Sequence, residues 1–175
     1  MKIAICDDDN SFLQNVKFLI NKIYSNPDKL SIYEYESGEQ FLLQFKPQLY
    51  DVIILDIEMC GITGLEVAEE IRKIDKSVIL AFFTSHQEFA TLGYEVNAFR
   101  YILKNQPEHM FINQLKSIFD EYHQSHITFP VQASSEVVNV LVSDILYFEI
   151  FKRTVVLHTI KTVSYTHLRA HETGA

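Results

Sequence analysis

The sequence predicts an α/β fold, a doubly wound parallel (βα)5 sheet followed by an incomplete all-β segment. Three observations carry that expectation. Four short apolar runs each stop at a polar residue: Lys2–Cys6 runs into Asp7-Asp8-Asp9, Val52–Leu55 into Asp56, Val78–Phe83 into Thr84, and Phe99–Leu103 into Lys104. A strand buried on both faces reads as such a continuous apolar run. Between the runs, apolar residues recur at helical spacing, and alternation of this kind implies a parallel sheet covered by helices on both faces. Past residue 125 the helical period disappears and strand-like segments follow one another.

The elements follow in order. Asp9-Asn10-Ser11 offers helix N-caps, after which Phe12, Val16, Leu19, Ile20 and Ile23 mark the first helix. Asn26-Pro27-Asp28 breaks it. Ser31–Tyr35 alternates as an edge strand does. Ser37 caps a short helix carrying Phe41, Leu42 and Phe45. After Asp56, residues 58–63 form a loop. Leu65, Ala68, Ile71 and Ile74 mark the next helix, and Phe89, Leu92 and Tyr94 a short fourth one. Pro107 opens a last helix with Phe111, Leu115, Ile118, Phe119 and Tyr122 on one face. That makes five βα units in residues 1–122. Strands are then expected at Ile127–Val131, Val137–Val142, Asp144–Phe151 and Thr154–Thr159, with a domain boundary near residue 125.

The 175 residues are enough for one ordinary domain and part of a second. At 47% hydrophobic and 22% charged, the composition can fill a core without disulfides. Cys6 and Cys60 form no framework and suit a reducing compartment. No run is long enough to span a membrane and the N-terminus has no signal-peptide pattern, so the expected location is cytoplasmic. A formal charge of −8 argues against a strong nucleic-acid footprint on the chain as it stands.

Asp7, Asp8 and Asp56 meet only if the first and third strands are neighbours, as they are in the flavodoxin-like order 2-1-3-4-5, where ligands bind at the strands' carboxyl ends. Carboxylates about 4 Å apart repel by roughly 4 kcal/mol per pair at an effective dielectric near 20. Such a cluster holds protons or a cation, and a few hard oxygen donors favour Mg²⁺. Beside that cation a carboxylate can attack phosphorus. The lone acid, Asp56, is the natural acceptor and the paired acids are the natural ligands. Lys104 supplies an ammonium, and Thr84 a hydroxyl, for the phosphoryl oxygens.

These residues resemble those of response-regulator receiver domains, the phosphoryl-accepting half of two-component signalling. The resemblance rests on Ile5-Cys6-Asp7-Asp8-Asp9, Leu55-Asp56-Ile57-Glu58-Met59, Thr84-Ser85 and Tyr101-Ile102-Leu103-Lys104. It implies the strand order 2-1-3-4-5, that Asp56 takes phosphate from a sensor histidine kinase, and that Asp8 binds Mg²⁺ directly and Asp7 through water. The Glu58 backbone carbonyl would complete the protein ligands. Tyr101 matches the family's aromatic switch position, and Glu58 and His86 occupy the two positions that tune phosphoryl lifetime. Asn105 stands where the family usually has Pro, which leaves the geometry of Lys104 open. A receiver assists its own phosphorylation and dephosphorylation and is otherwise no enzyme. An aspartate-nucleophile phosphatase is a lesser alternative: it usually places its nucleophile in an Asp-x-Asp pair on the first strand, whereas here the single acceptor is on the third strand and position 58 is Glu. A nucleotide-binding domain of this layering needs a Gly-rich loop after the first strand, and none of the five glycines stands there.

Val137–Glu149 is similar to the opening of a LytTR-type DNA-binding domain, of which 127–162 would be an N-terminal fragment. Lys152 and Arg153 fall in a loop that contacts DNA in that family, though a solvated hairpin charge pair reads equally well. The two resemblances together imply a transcriptional regulator whose full-length parent binds promoter DNA, with a homodimer forming on phosphorylation. A receiver acting through protein contact alone is the alternative. An incomplete sheet leaves open edges and apolar surface, so the segment after residue 125 is expected to be poorly ordered or association-prone. Residues 163–175 resemble a translated sequencing-library adapter, which implies a non-native tail.

Overall fold

The computed structural model describes residues 1–89, 92–133, 136–151, 154–160 and 165–168. The chain divides into two compact units, Met1–Tyr122 and His123–Ala175.

The first unit runs β1 (Lys2–Cys6), α1 (Asn10–Ile23), β2 (Ser31–Tyr35), α2 (Gly38–Gln44), β3 (Val52–Leu55), α3 (Gly64–Ile74), β4 (Ile79–Thr84), β5 (Arg100–Leu103) and α4 (Glu108–Ser125), whose last turn passes into the second unit. The five strands are parallel in the order β2-β1-β3-β4-β5. The twofold period of a strand divides the core into two layers. Ile3, Ile5, Val52, Ile54, Ala81, Phe83 and Ile102 face α1 and α4. Ala4, Cys6, Ile53, Leu55, Leu80 and Phe82 face α2 and α3. Both faces are therefore covered, which is why these strands read as unbroken apolar runs.

The expected caps form. Asp9 caps α1 by accepting from the N–H groups of Ser11 and Phe12. Ser37 accepts from Gln40 and caps α2. Thr63 and Glu66 make a reciprocal capping box on α3. The buried stripe of α3 differs from the expected one. It is Gly64, Val67, Ala68 and Ile71, and Ile74 is exposed.

Among the described residues, the expected fourth helix is replaced by two short 3-10 turns, Gln87–Phe89 and Leu92–Tyr94. Two physical reasons stand out. Gly93 sits mid-segment, where it costs about 1 kcal/mol against Ala in a helix. Arg72 on α3 also takes the carbonyls of Val96 and Asn97 for its guanidinium, at 2.8 and 3.2 Å. Asn97 itself is left-handed at φ 49°.

The second unit is antiparallel. β6 (Thr128–Ala133) pairs with β7 (Glu136–Leu141), and a second sheet has the order β10-β9-β8, from β8 (Ile145–Phe151), β9 (Thr154–Thr159) and β10 (Tyr165–Leu168). Among its described residues, the buried cluster is Val131, Val140 and Leu157, with Val138 and Ile145 against them. Leu146, Tyr147, Phe148 and Ile150 of β8 stay exposed. β10 lies inside the expected non-native tail. An open strand edge presents a row of unpaired amides and carbonyls to any extended segment that reaches it.

Candidate functional site

The parallel register assembles the site. Cys6 is level with Leu55, and Leu55 with Phe82. Asp7 and Asp56 therefore leave the sheet side by side, one residue past paired positions. Thr84 is level with Leu103, which brings Lys104 up one step beyond. The backbone continues this alignment past the strands. The Asp7 N–H donates to the Tyr35 carbonyl, Asp56 N–H to Cys6, and Lys104 N–H to Thr84.

Asp7, Asp56 and Thr84 are buried and Asp8 is exposed. Asp7, Asp8 and Asp56 each offer a carboxylate oxygen, and these oxygens lie within 4.8 Å of one another. Lys104 Nζ sits 2.7 Å from Asp56 Oδ2 and 2.6 Å from Asp7 Oδ2. It also lies 4.4 Å from the centre of the Phe12 ring, a desolvated cation–π contact. Asp56 Oδ1 accepts from the Ile57 N–H at 2.7 Å, Asp7 Oδ1 from Asp9 at 3.0 Å, and Asp8 Oδ2 from Cys60 at 2.9 Å. Among the described residues no peptide bond is cis, and Lys104 reaches both carboxylates with Asn105 in place of proline.

Burial raises the Asp7 pKa, against the lowering pull of Lys104 and the Asp9 N–H. Burial also works against the Lys104 ammonium, but the Asp56 and Asp7 carboxylates outweigh it and raise its pKa. One lysine thus faces two carboxylates, with Asp8 a third beside them. Asp7 Oδ2 is buried, and although Nζ is near, no donor is aligned on it as a hydrogen bond. A buried oxygen left this way is costly. The donor set fits a divalent cation, which would meet that oxygen and offset the repulsion among the three acids.

Gly64 lets this site close. A Cβ there would stand 1.8 Å from the Asp56 carbonyl oxygen, so α3 can start this near β3 only with glycine.

The sequence-predicted residues of the first unit come together. His86 Nε2 lies 2.7 Å from Glu58 Oε2, and its Nδ1 3.0 Å from Glu88 Oε1. The two expected lifetime-tuning side chains therefore touch each other. The Glu88 hydrogen bond raises the His86 pKa, against slight burial, with the Glu58 charge adding to it. Thr84 Oγ1 accepts the His86 N–H at 3.3 Å. The half-buried Tyr101 hydroxyl donates to the His86 carbonyl, and burial pushes its pKa up to about 12. Lys152 and Arg153, the expected DNA contacts, lie outside the described residues. Sequence reasoning missed Phe12 against Lys104, Glu88 against His86, and the Cys60 amide on Asp8. A backbone donor carries no residue-type signal.

Residues 3–116 match the response regulator receiver domain family. The chain belongs to that family. Its receiver is similar to the sensory transduction protein LytR of Staphylococcus epidermidis, 34% identical over 104 residues, which is 59% of this chain and 40% of that protein. Similarity to the sensory transduction protein LytT of Bacillus anthracis extends further, 24% identical over 185 residues, covering 95% of this chain and 73% of that protein. The chain spans 40% of the length of the first curated relatives it matches. Among solved structures, the response regulatory domain of mrkE from Klebsiella pneumoniae matches with a TM-score of 0.61 at 29% identity, covering 71% of this chain and 99% of that one. TrrA of Thermotoga maritima, in complex with Mg²⁺–BeF, matches with a TM-score of 0.55 at 28% identity, covering 67% and 97%. No described helix is long and apolar enough to cross a membrane.

Proposed function

We propose that this receiver accepts a phosphoryl group on Asp56 from a sensor histidine kinase in a Mg²⁺-dependent reaction, and that the chain belongs to a cytoplasmic transcriptional response regulator. The observation that carries this reading is the convergence of three acids within 4.8 Å around one lysine at 2.6 and 2.7 Å. Asp7, Asp8 and Asp56, with the Glu58 backbone carbonyl, would hold the Mg²⁺. Bound there, the cation neutralises charge building on the transferring phosphoryl oxygens.

The chain's own groups do the rest. Asp56 Oδ1 is held by the Ile57 amide, which orients the carboxylate. An Asp56 oxygen attacks phosphorus, the P–N bond to the donor histidine breaks, and the imidazole leaves with the bond's electron pair. Lys104 moves from carboxylate to phosphoryl oxygen, keeping its charge where negative charge now sits. The Thr84 hydroxyl donates to another phosphoryl oxygen. Thr84 already holds the His86 amide, and the His86 carbonyl holds Tyr101. Movement of Thr84 is thereby felt at Tyr101, the switch position. Glu58 and His86 guard the entry and set how long the acyl phosphate survives.

The similarity to LytT, which covers 95% of this chain, and the Asp144–Glu149 stretch support a LytTR-type output in the second unit. In the full-length parent that output would bind promoter DNA, Lys152 and Arg153 contacting it, with a homodimer forming on phosphorylation.

Incubation with a small-molecule phosphodonor and Mg²⁺, followed by intact mass, tests the acceptor. One stable phosphoryl group per chain is expected, with no sustained turnover of phosphate monoesters. Asp56→Asn should abolish the added mass. A substituted chain that gained it at the wild-type rate would overturn the assignment.

A further inference from the structure

We propose that Glu39, in the first turn of α2, is a positioning residue for the cation pocket, pinning the tip of the loop after Asp56 so that the groups facing the cation are presented in place. This inference rests on the proposed function above and adds a residue to it.

Four amide groups of the loop, those of Cys60, Ile62, Thr63 and Gly64, have acceptors that fix it in place. The base is fixed at residues 63 and 64: the Thr63 N–H donates to Glu66 at 2.8 Å, and the Gly64 N–H to the Ile57 carbonyl at 3.0 Å. The pocket side is fixed by the Cys60 N–H on Asp8 at 2.9 Å. The tip is fixed from outside. The Ile62 N–H donates at 2.9 Å to Glu39 Oε1, from a residue 23 positions earlier on another helix. That amide is also the largest influence holding the Glu39 carboxyl below its ordinary pKa.

The backbone at Gly61 accommodates the same carboxylate. Gly61 adopts φ 92°, and a Cβ on it would lie 2.2 Å from Glu39 Oε1. The carboxylate thus fills the space that any other residue at 61 would claim. The tip's left-handed backbone and the carboxylate fit each other as a pair.

The consequence falls on Asp8. Its Oδ2 carries the Cys60 amide, and the same side chain is a cation ligand in the proposed site. With Glu39 present, Asp8 need not hold the loop alone. Without it, the segment between Ile57 and Thr63 gains freedom, and both the Cys60 amide and the Glu58 carbonyl lose their fixed places. Groups that orient metal ligands commonly change affinity by 10–100-fold when removed. Glu39 is exposed, so the low end is expected.

The test is calorimetric titration of the full chain with MgCl2, alongside hydrogen exchange at the Cys60 and Ile62 amides. Glu39→Ala should weaken Mg²⁺ binding about tenfold and speed exchange at both amides. Glu39→Gln keeps an oxygen acceptor for Ile62 and should stay within about twofold of wild type. Glu39→Asp draws the acceptor back by one methylene, should weaken Mg²⁺ in the same direction as Glu39→Ala, and supplies the same test should Glu39→Ala fail to fold. Wild-type Mg²⁺ affinity in Glu39→Ala or Glu39→Asp overturns the proposal. So does an equal loss in Glu39→Gln, since charge and not the acceptor would then be what matters. If the wild-type chain takes a phosphoryl group on Asp56 while the variants bind Mg²⁺ unchanged, the tether fails and the function stands. If wild type neither binds Mg²⁺ nor takes the phosphoryl group, both fall together.

Discussion

Asp7 shows what the site costs the fold. It is 1% exposed, it faces Asp56 and Asp8, and one ammonium serves two carboxylates. Two carboxylates about 4–5 Å apart repel by roughly 3–4 kcal/mol at an effective dielectric near 20, and burial adds to the penalty. Lys104 offsets only part of it. Functional sites often hold such locally unfavourable arrangements at the expense of stability. Asp7→Asn should therefore raise the unfolding free energy measured with chelator present, by about 1 kcal/mol, while reducing the stabilisation gained from added Mg²⁺. Urea unfolding with and without Mg²⁺ reads both. A cation-free Asp7→Asn variant less stable than wild type would show that Lys104 already balances the pair.

At the scale of elements, the joints between helix and strand decide more than the helices do. Asp75 ends α3, is 5% exposed, and accepts from Gln48 N at 2.9 Å, Ser77 N and Oγ at 2.8 Å, and Val78 N at 3.1 Å. Burial pushes its pKa up, but these donors outweigh it and the net shift is downward. A carboxyl whose folded pKa is lowered contributes stability that is present above its unfolded value and lost as pH falls through the folded one. Asp75→Asn puts an NH2 group against backbone donors and should cost about 2 kcal/mol at neutral pH. It should also flatten the decline in stability below pH ~4, as followed by thermal melts across pH. An unchanged acid limb would mean that other carboxylates carry it.

The same joints explain what was legible in the sequence. Strand ends could be read because Asp7, Asp56, Thr84 and Lys104 each follow an apolar run directly, and the parallel register then brings them level. The order of the strands came with the resemblance, since periodicity says nothing about which strand neighbours which. The missing fourth helix was illegible because its competitor, the Arg72 guanidinium, comes from α3, 24 residues before Val96. Ile74 has helical spacing with Ile71 but lies past the end of the buried stripe. Glu39 and Ile62 carry no shared pattern at all, because their contact is made by a side chain on a bare amide.

For the whole molecule, the two units differ in how well they cover their apolar surface. The first closes its sheet on both faces with helices. Among its described residues, the second buries one small apolar cluster, Val131, Val140 and Leu157. On β8, Leu146 is 59% exposed and Ile150 77%, with Tyr147 and Phe148 between them also exposed. β8 is also the outer strand of its sheet, with no neighbour on its far edge among the described residues. Natural edge strands are protected by charge, proline or a covering element, and Ile145–Phe151 offers one charge, Glu149, which is taken by His158 at 2.9 Å. High β-propensity with low net charge and an open edge is the pattern of intermolecular strand pairing. The chain's net charge of −8 opposes association, but repulsion between exposed charges is screened within about 10 Å at 0.1 M salt. The full chain should therefore grow in hydrodynamic radius as concentration rises, and more so at high salt. Ile150→Lys should reduce that growth without changing phosphoryl uptake at Asp56. Light scattering across a concentration series decides it. A radius independent of concentration and salt, together with strong amide protection across Val137–Thr159, would mean that the second unit is self-sufficient as it stands.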